Sequence, residues 1–460
     1  MASNLPHYVA SAQPVPQANR VPWFKSTAQT YAGVMLWFVF WESVPNSGAV
    51  GPAGILAQGL GAALLGVIVG ALLCHFASYL APGMMGMKTG LPLAVVGTST
   101  YGVVGGFLMP GFFMGVLQFG WLAVNSYFSA MLLAGLAGQS PGSPLHLGIG
   151  VVWAVVAAFV GLKGIQYVAK VATYFPLIPL VILLILAGKT MSGVAGFKPE
   201  MLTTGYEGPT LSSLDVFLIA VANIVGFFAT AGAAGVDIAS SNRNTKDVQI
   251  GGLVGVAGAT IFTGCLALLI VAGTYGAGLT DKVIIKPTEL METIVGAQAA
   301  KVFWLLLALA AFPPACFSSL IAANSFKNTL PKVNPFISCG VGVAASIALI
   351  LSGKAGDAAG VFGIIGASFG PICGAMTADY LLAGCKWPGP RAGFKAAGWL
   401  SWAVGFVVGA WNGLFGKLLG TSFQMPCPPV AAIMVGFVLY EVLAKAGLES
   451  KTLEMPAAKQ

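Results

Sequence analysis

Residues 249–275, QIGGLVGVAGATIFTGCLALLIVAGTY, carry no charged side chain. A helix of that length rises roughly 40 Å, more than the hydrocarbon core of a bilayer, which is about 30 Å thick. Twelve candidate apolar spans can be drawn, at approximately 30–50, 53–80, 101–135, 146–163, 168–188, 213–236, 249–275, 299–325, 336–352, 358–384, 395–413 and 428–446. Turn-rich pieces separate them, among them QSPGSPLH, SSNRNTKD and CKWPGPRAGFK. Only 8% of the residues are charged, against about 25% in soluble domains, and the mean hydropathy is +0.87. Lipid offers no partner to open backbone groups, so runs of this kind must be helical. The expected fold class is an all-α integral membrane protein of about twelve helices.

Placing the amino terminus in the cytoplasm puts most of the 22 Lys and Arg on the inner side, the positive-inside pattern. That asymmetry accounts for the net charge of +8 without nucleic acid as a partner. Residues 1–28 are Pro-rich, lack a signal peptide's apolar stretch, and are expected to form a cytoplasmic tail. Residues 29–446 then form a single transmembrane transporter domain and 447–460 a second cytoplasmic tail, in a multi-pass protein of the cell membrane. The seven Cys contain no C-x-x-C and the three His are scattered, which argues against disulfides and a His-based metal centre.

Three places interrupt their own spans. Glu42 is followed by SVPNSG in the first; VGFFATAGAAGVD turns into Ala and Gly in the sixth; FPPACFSSLIAANS carries two Pro in the eighth. The first and sixth spans are five helices apart. Transporters built from inverted five-helix repeats break corresponding helices at the midplane, where freed carbonyls and half-helix dipoles bind substrate and ion. On this reading helices 1 and 6 are broken and Gly232 and Gly235 permit the unwinding. The competing reading is close helix packing, for which small residues serve equally well.

The segments FATAGAAGVDIASSNRNTKD, VLQFGWLAVN, GPICGAMTADYLL and RVPWFKSTAQTYAGVMLW resemble the nucleobase:cation symporter family, the cytosine/purine permeases with hydantoin and allantoin relatives. The similarity covers most of the chain from Arg20 onward. It implies two inverted five-helix repeats, as in amino-acid:sodium symporters, plus two C-terminal helices. It also implies a flat substrate held between aromatic rings of helices 3 and 6 and read along its edge by amides. Carried over by motif, the substrate-binding residues are Trp121, Asn125, Phe228, Gly232 and Asn324, with the paired hydroxyls of Ser318 and Ser319 toward a cation. Two positions depart from the family: Phe228 stands where Trp is usual, and Ser240 where an Arg is usual.

Residue chemistry agrees with this. Stacking recognises the faces of a planar base, at about 1–3 kcal/mol each, and Asn supplies donor and acceptor for its edge. Trp121 and Asn125 are four apart and share a helix face. Ser318 and Ser319 offer hard oxygens to a sodium ion, together with carbonyls near Phe38, Trp41 and Glu42; their alternative is a bond back to the preceding turn. Glu42 could instead carry a proton, so sodium and proton coupling are rivals. The expected function is secondary active import of a nucleobase or related heterocycle by cation symport; the alternative is a passive facilitator or channel for a small neutral solute. No enzymatic centre and no cofactor beyond a sodium ion are expected, since neither a His or carboxylate cluster nor a Walker motif is present.

Overall fold

The computed structural model describes residues 5–26, 41, 54–163, 174–175, 177–203, 210–284 and 286–455. Eleven apolar helices lie within them, nine long enough to cross a membrane and two shorter, α8 and α10: α1 Leu60–Thr89, α2 Thr98–Leu136, α3 Pro144–Lys163, α4 Leu177–Gly196, α5 Ser213–Ser240, α6 Thr245–Gly276, α7 Ala297–Thr329, α8 Pro335–Leu351, α9 Ala358–Leu382, α10 Ala396–Gly409 and α11 Pro428–Lys445. They coincide with the second to twelfth expected spans. The first span, with Phe38, Glu42 and its expected break, falls outside the described residues. Of that span Trp41 alone is described, fully buried and donating from its indole to Ala267 O at 3.1 Å.

The helices form one packed bundle in which α5 lies against α1 and α9, and α2 against α7 and α3. Contacts at both ends show that α2 and α7 run antiparallel. The Ser325 hydroxyl donates to Gly111 O near one end, and Gly135 abuts the Trp304 ring near the other.

The expected break in the sixth span is not there. α5 is continuous from Ser213 to Ser240, opened by a capping box in which Ser212 and Asp215 satisfy each other's backbone N–H. Its glycines serve close packing instead. A Cβ on Gly232 would stand 2.7 Å from Ser78 Cβ and 2.9 Å from Cys373 Sγ, and one on Gly235 2.9 Å from the Tyr79 ring. α1 answers with Gly86, where a Cβ would fall 2.1 Å from Val236 O. Without a hydrophobic drive between helices in lipid, such backbone approach is what holds them together. Interruptions lie in α2 instead: Met109 is extended at φ −128° and ψ 114°, and Gly102 takes φ 80° and ψ 163°, where a Cβ would meet Gly393 O at 2.1 Å. α7 stays helical through Pro313 and Pro314, although each Pro denies a hydrogen bond to the carbonyl four residues earlier.

Both tails dock at the end of the bundle where α1 finishes and α2 begins. On the amino-terminal side Val9 is fully buried, the Tyr8 hydroxyl donates to Val103 O, Arg20 donates to Met87 O at 2.6 Å, and Trp23 N donates to Asp247 Oδ1 at 3.1 Å. On the carboxy-terminal side Ala392 N donates to Lys451 O and Leu453 N to Pro390 O. Beneath that strap sits a charged cluster. Lys395, 0% exposed, lies 3.4 Å from Asp379 and 3.1 Å from Glu449 and donates to the Tyr440 hydroxyl. Tyr440 donates in turn to Asp379 at 2.6 Å, Thr100 to Asp379 at 3.3 Å, and Arg391 pairs with Glu449 at 3.1 Å.

Candidate functional site

Trp121 stands midway along α2 where that helix faces α5 and α9. Its ring meets Phe227 edge-on, with centroids 4.9 Å apart at 86°, and Phe362 of α9 at 4.8 Å and 31°. Phe227 and Phe362 meet each other at 5.0 Å, so the three rings close a triangle. The indole Nε1 donates to Thr230 Oγ1 across the α2–α5 contact at 3.2 Å. Phe228 is buried and touches this group through Phe227, at 5.0 Å, rather than facing Trp121. A flat ring stacked between two others needs about 7 Å between them, twice the optimal carbon separation. Phe362 therefore leaves no room for a flat ring on the Trp121 face that it covers.

The sequence of residues 14–386 matches the family model described as permease for cytosine/purines, uracil, thiamine, allantoin. The chain belongs to this family. No curated protein matches it by sequence. Among solved structures, the inward-facing conformation of Mhp1 superposes with a TM-score of 0.69 at 16% identity, over 100% of this chain and 97% of that one. Mhp1, described as a nucleobase-cation-symport-1 family transporter, also matches in a closed conformation with bromovinylhydantoin bound, at 0.65 and 15% over 95% and 96%. A Na+-coupled sialic acid symporter in a substrate-bound outward-open state gives 0.61 and 11% over 97% and 93%. This permease thus shares their all-helical fold.

The antiparallel register of α2 and α7 puts Ser318 and Ser319 about level with Trp121. Ser318 follows the back-bonding pattern weakly, donating to Pro314 O at 3.4 Å. Ser319 is fully buried and its hydroxyl has no hydrogen-bond partner among the described residues. A buried hydroxyl in that condition costs stability unless something polar completes it. Its oxygen suits a hard cation. Of the amides, Asn125 is half-buried and accepts from the Ser129 hydroxyl at 3.4 Å, while Asn324 on α7 is exposed.

Four residues absent from the sequence-based set belong to this region. Phe227, Phe362 and Thr230 line or hold the Trp121 ring. Gln118, one turn before Trp121, is a buried amide whose donor, among the described residues, reaches the thioether of Met114 at 3.5 Å. An amide in VLQFGW on the Trp121 face was a usable signal for Gln118. Phe227 and Phe362 carried none, being two of 28 Phe in apolar runs.

Edge recognition by the amides has a direct test. Asn125→Ala and Asn324→Ala are expected to change the order in which unlabelled bases compete for uptake, because an unpaired edge atom costs about 1–3 kcal/mol. Equal weakening for every base would remove the amides from the recognition of the edge.

Proposed function

We propose that this permease is a secondary active importer of a nucleobase or related heterocycle, driven by symport of a cation, with both termini in the cytoplasm of a cell whose plasma membrane it spans. The supporting observation is Trp121, anchored between α2 and α5 and about level with the Ser319 hydroxyl, which has no partner among the described residues. The heterocycle takes the Trp121 face that Phe362 covers, and Asn125, Gln118 and Asn324 are the amides within the same helices to meet its edge. Sodium is the favoured ion, since the buried Ser319 hydroxyl and its neighbour Ser318 supply hard oxygens and no titration is required of them. The transported ion is substrate, so no resident cofactor and no chemical conversion of the base enter this reading.

The test is uptake of labelled cytosine, uracil, adenine, guanine, hypoxanthine, allantoin and hydantoin into cells lacking their own permeases, with and without sodium and at two pH values. Accumulation against a gradient that depends on sodium is expected, and Ser319→Ala should raise the sodium concentration for half-maximal uptake several-fold, on the order of one lost oxygen ligand. Sodium-independent uptake that collapses with an uncoupler and survives Ser319→Ala would move the coupling to protons. Equilibration without accumulation would make the protein a facilitator.

A further inference from the structure

Threonines inside membrane helices ordinarily turn their hydroxyls back onto the preceding turn. Thr190, Thr263 and Thr274 do so here, donating to Leu186 O, Ala259 O and Ile270 O. Thr230, only 6% exposed, instead reaches across to α2 and accepts the Trp121 indole proton at 3.2 Å. The indoles of Trp41, Trp387, Trp402 and Trp411 donate to backbone carbonyls, and those of Trp153, Trp304 and Trp399 are buried with no partner among the described residues. An indole hydrogen bond to a side chain is thus not a by-product of burial in this bundle.

We infer that Thr230 is a positioning residue which fixes the plane of the Trp121 ring for stacking; the inference rests on the binding role proposed for Trp121 above. An indole turns about two side-chain torsions, so its plane is set by whatever touches its edge and its two faces. Thr230 holds the edge and Phe227 abuts the ring at 86°. Both belong to α5, so the ring grows from α2 but takes its orientation from α5. Phe362 is the only one of the three neighbours a stacked heterocycle would displace. The two α5 contacts then remain, and of these only the Thr230 bond is directional, tying the indole edge to one point on α5 so that the ring cannot tip out of its plane about its side-chain torsions. Removing the hydroxyl leaves the recognition surface present but loosely aimed.

Concentration-dependent uptake of the labelled base found best in the panel above is measured for Thr230→Val, Thr230→Ser, Trp121→Phe, the Thr230→Val/Trp121→Phe pair and Trp121→Ala, each normalised to protein at the cell surface. Thr230→Val keeps the shape and loses the acceptor, and should raise KM about tenfold with Vmax within about twofold, a difference of about 1.4 kcal/mol. Thr230→Ser restores the hydroxyl and should restore KM. Trp121→Phe removes the donor from the other side, so adding Thr230→Val to it should bring no further rise. An unchanged KM in Thr230→Val, a Ser variant as poor as Val, or the same penalty in the Trp121→Phe background would each overturn the assignment of Thr230 while Trp121→Ala stays defective. A normal KM in Trp121→Ala would bring down the stacking site itself and Thr230 with it. If Thr230→Val does not reach the surface, Thr230→Ala takes its place in the same comparison, alone and paired with Trp121→Phe, and the same outcomes decide.

Discussion

Trp121→Ala is expected to abolish high-affinity uptake while the protein reaches the membrane in near-normal amount. The face of this ring is the broadest stacking surface where α2, α5 and α9 meet, and a stacked base gives about 1–3 kcal/mol, or roughly 5–150-fold in affinity. Phe227 and Phe362 would still join α5 to α9 through their mutual contact at 5.0 Å, and α2 would keep its packing against α7 and α3. Saturable uptake and surface labelling measured on the same cells separate binding from folding. Loss of the protein from the surface would make Trp121 a packing residue and leave the site without its main wall.

Lys395→Met should produce the largest loss of stability of any conservative change away from that site. Its ammonium is fully buried between Asp379 and Glu449, and Asp379 is itself 1% exposed. Removing one member of a buried pair strands the other, at a cost of about 3–5 kcal/mol. Arg391, 3.9 Å from Asp379, and the Tyr440 and Thr100 hydroxyls moderate this cost without replacing the close cation. The measurement is the midpoint of heat-induced loss of monodisperse protein in detergent. Pairing Lys395→Met with Asp379→Asn should recover part of the loss, because the stranded charge goes with it. A Lys395→Met protein as heat-resistant as the parent would show that the cluster contributes nothing net. The Glu449 carboxyl adds a pH signature. Burial raises its pKa, but Lys395 and Arg391 together outweigh burial and hold it below the ordinary value. A depressed carboxylate contributes fully above its unfolded pKa, and that contribution is lost as the pH falls through the folded one.

The spans were legible in the sequence because lipid enforces them. A long, strongly apolar run with at most a few charges has few fates, and α1 to α11 fall where those runs lie. Trp121 stood out for a related reason, as a large ring with an amide one turn away within an apolar helix. Gly232 and Gly235 were ambiguous in principle. An unwound helix and a tightly packed one both require the absence of a Cβ, and only the neighbours Ser78, Tyr79 and Cys373 decide between them. The choice between Phe227 and Phe228 was beyond sequence for a geometric reason: adjacent residues on a helix differ by 100°, and which one faces α2 depends on the rotation of α5. Phe362 and Thr230 entered the site through contacts spanning more than 100 positions of chain, which carry no local pattern. Asp379 lay in a quoted motif, yet its partners Thr100, Arg391, Lys395 and Tyr440 come from three other segments.

The strap formed by Ser450 to Leu453 bears on how this protein can be handled. By hydropathy the chain after Lys445 is dispensable, and a purification tag or fluorescent reporter would naturally be fused soon after it. Arg391, however, donates to Ser450 O at 3.2 Å and pairs with Glu449, and Leu453 N donates to Pro390 O at 2.7 Å. A fusion joined before residue 449 would remove Glu449 and the strap that cover Lys395, leaving Asp379 as its one carboxylate partner among the described residues. Joined beyond residue 455, it would leave the end of the bundle as it is. The position of the junction, more than the identity of the tag, should decide whether a tagged version behaves as the native carrier does.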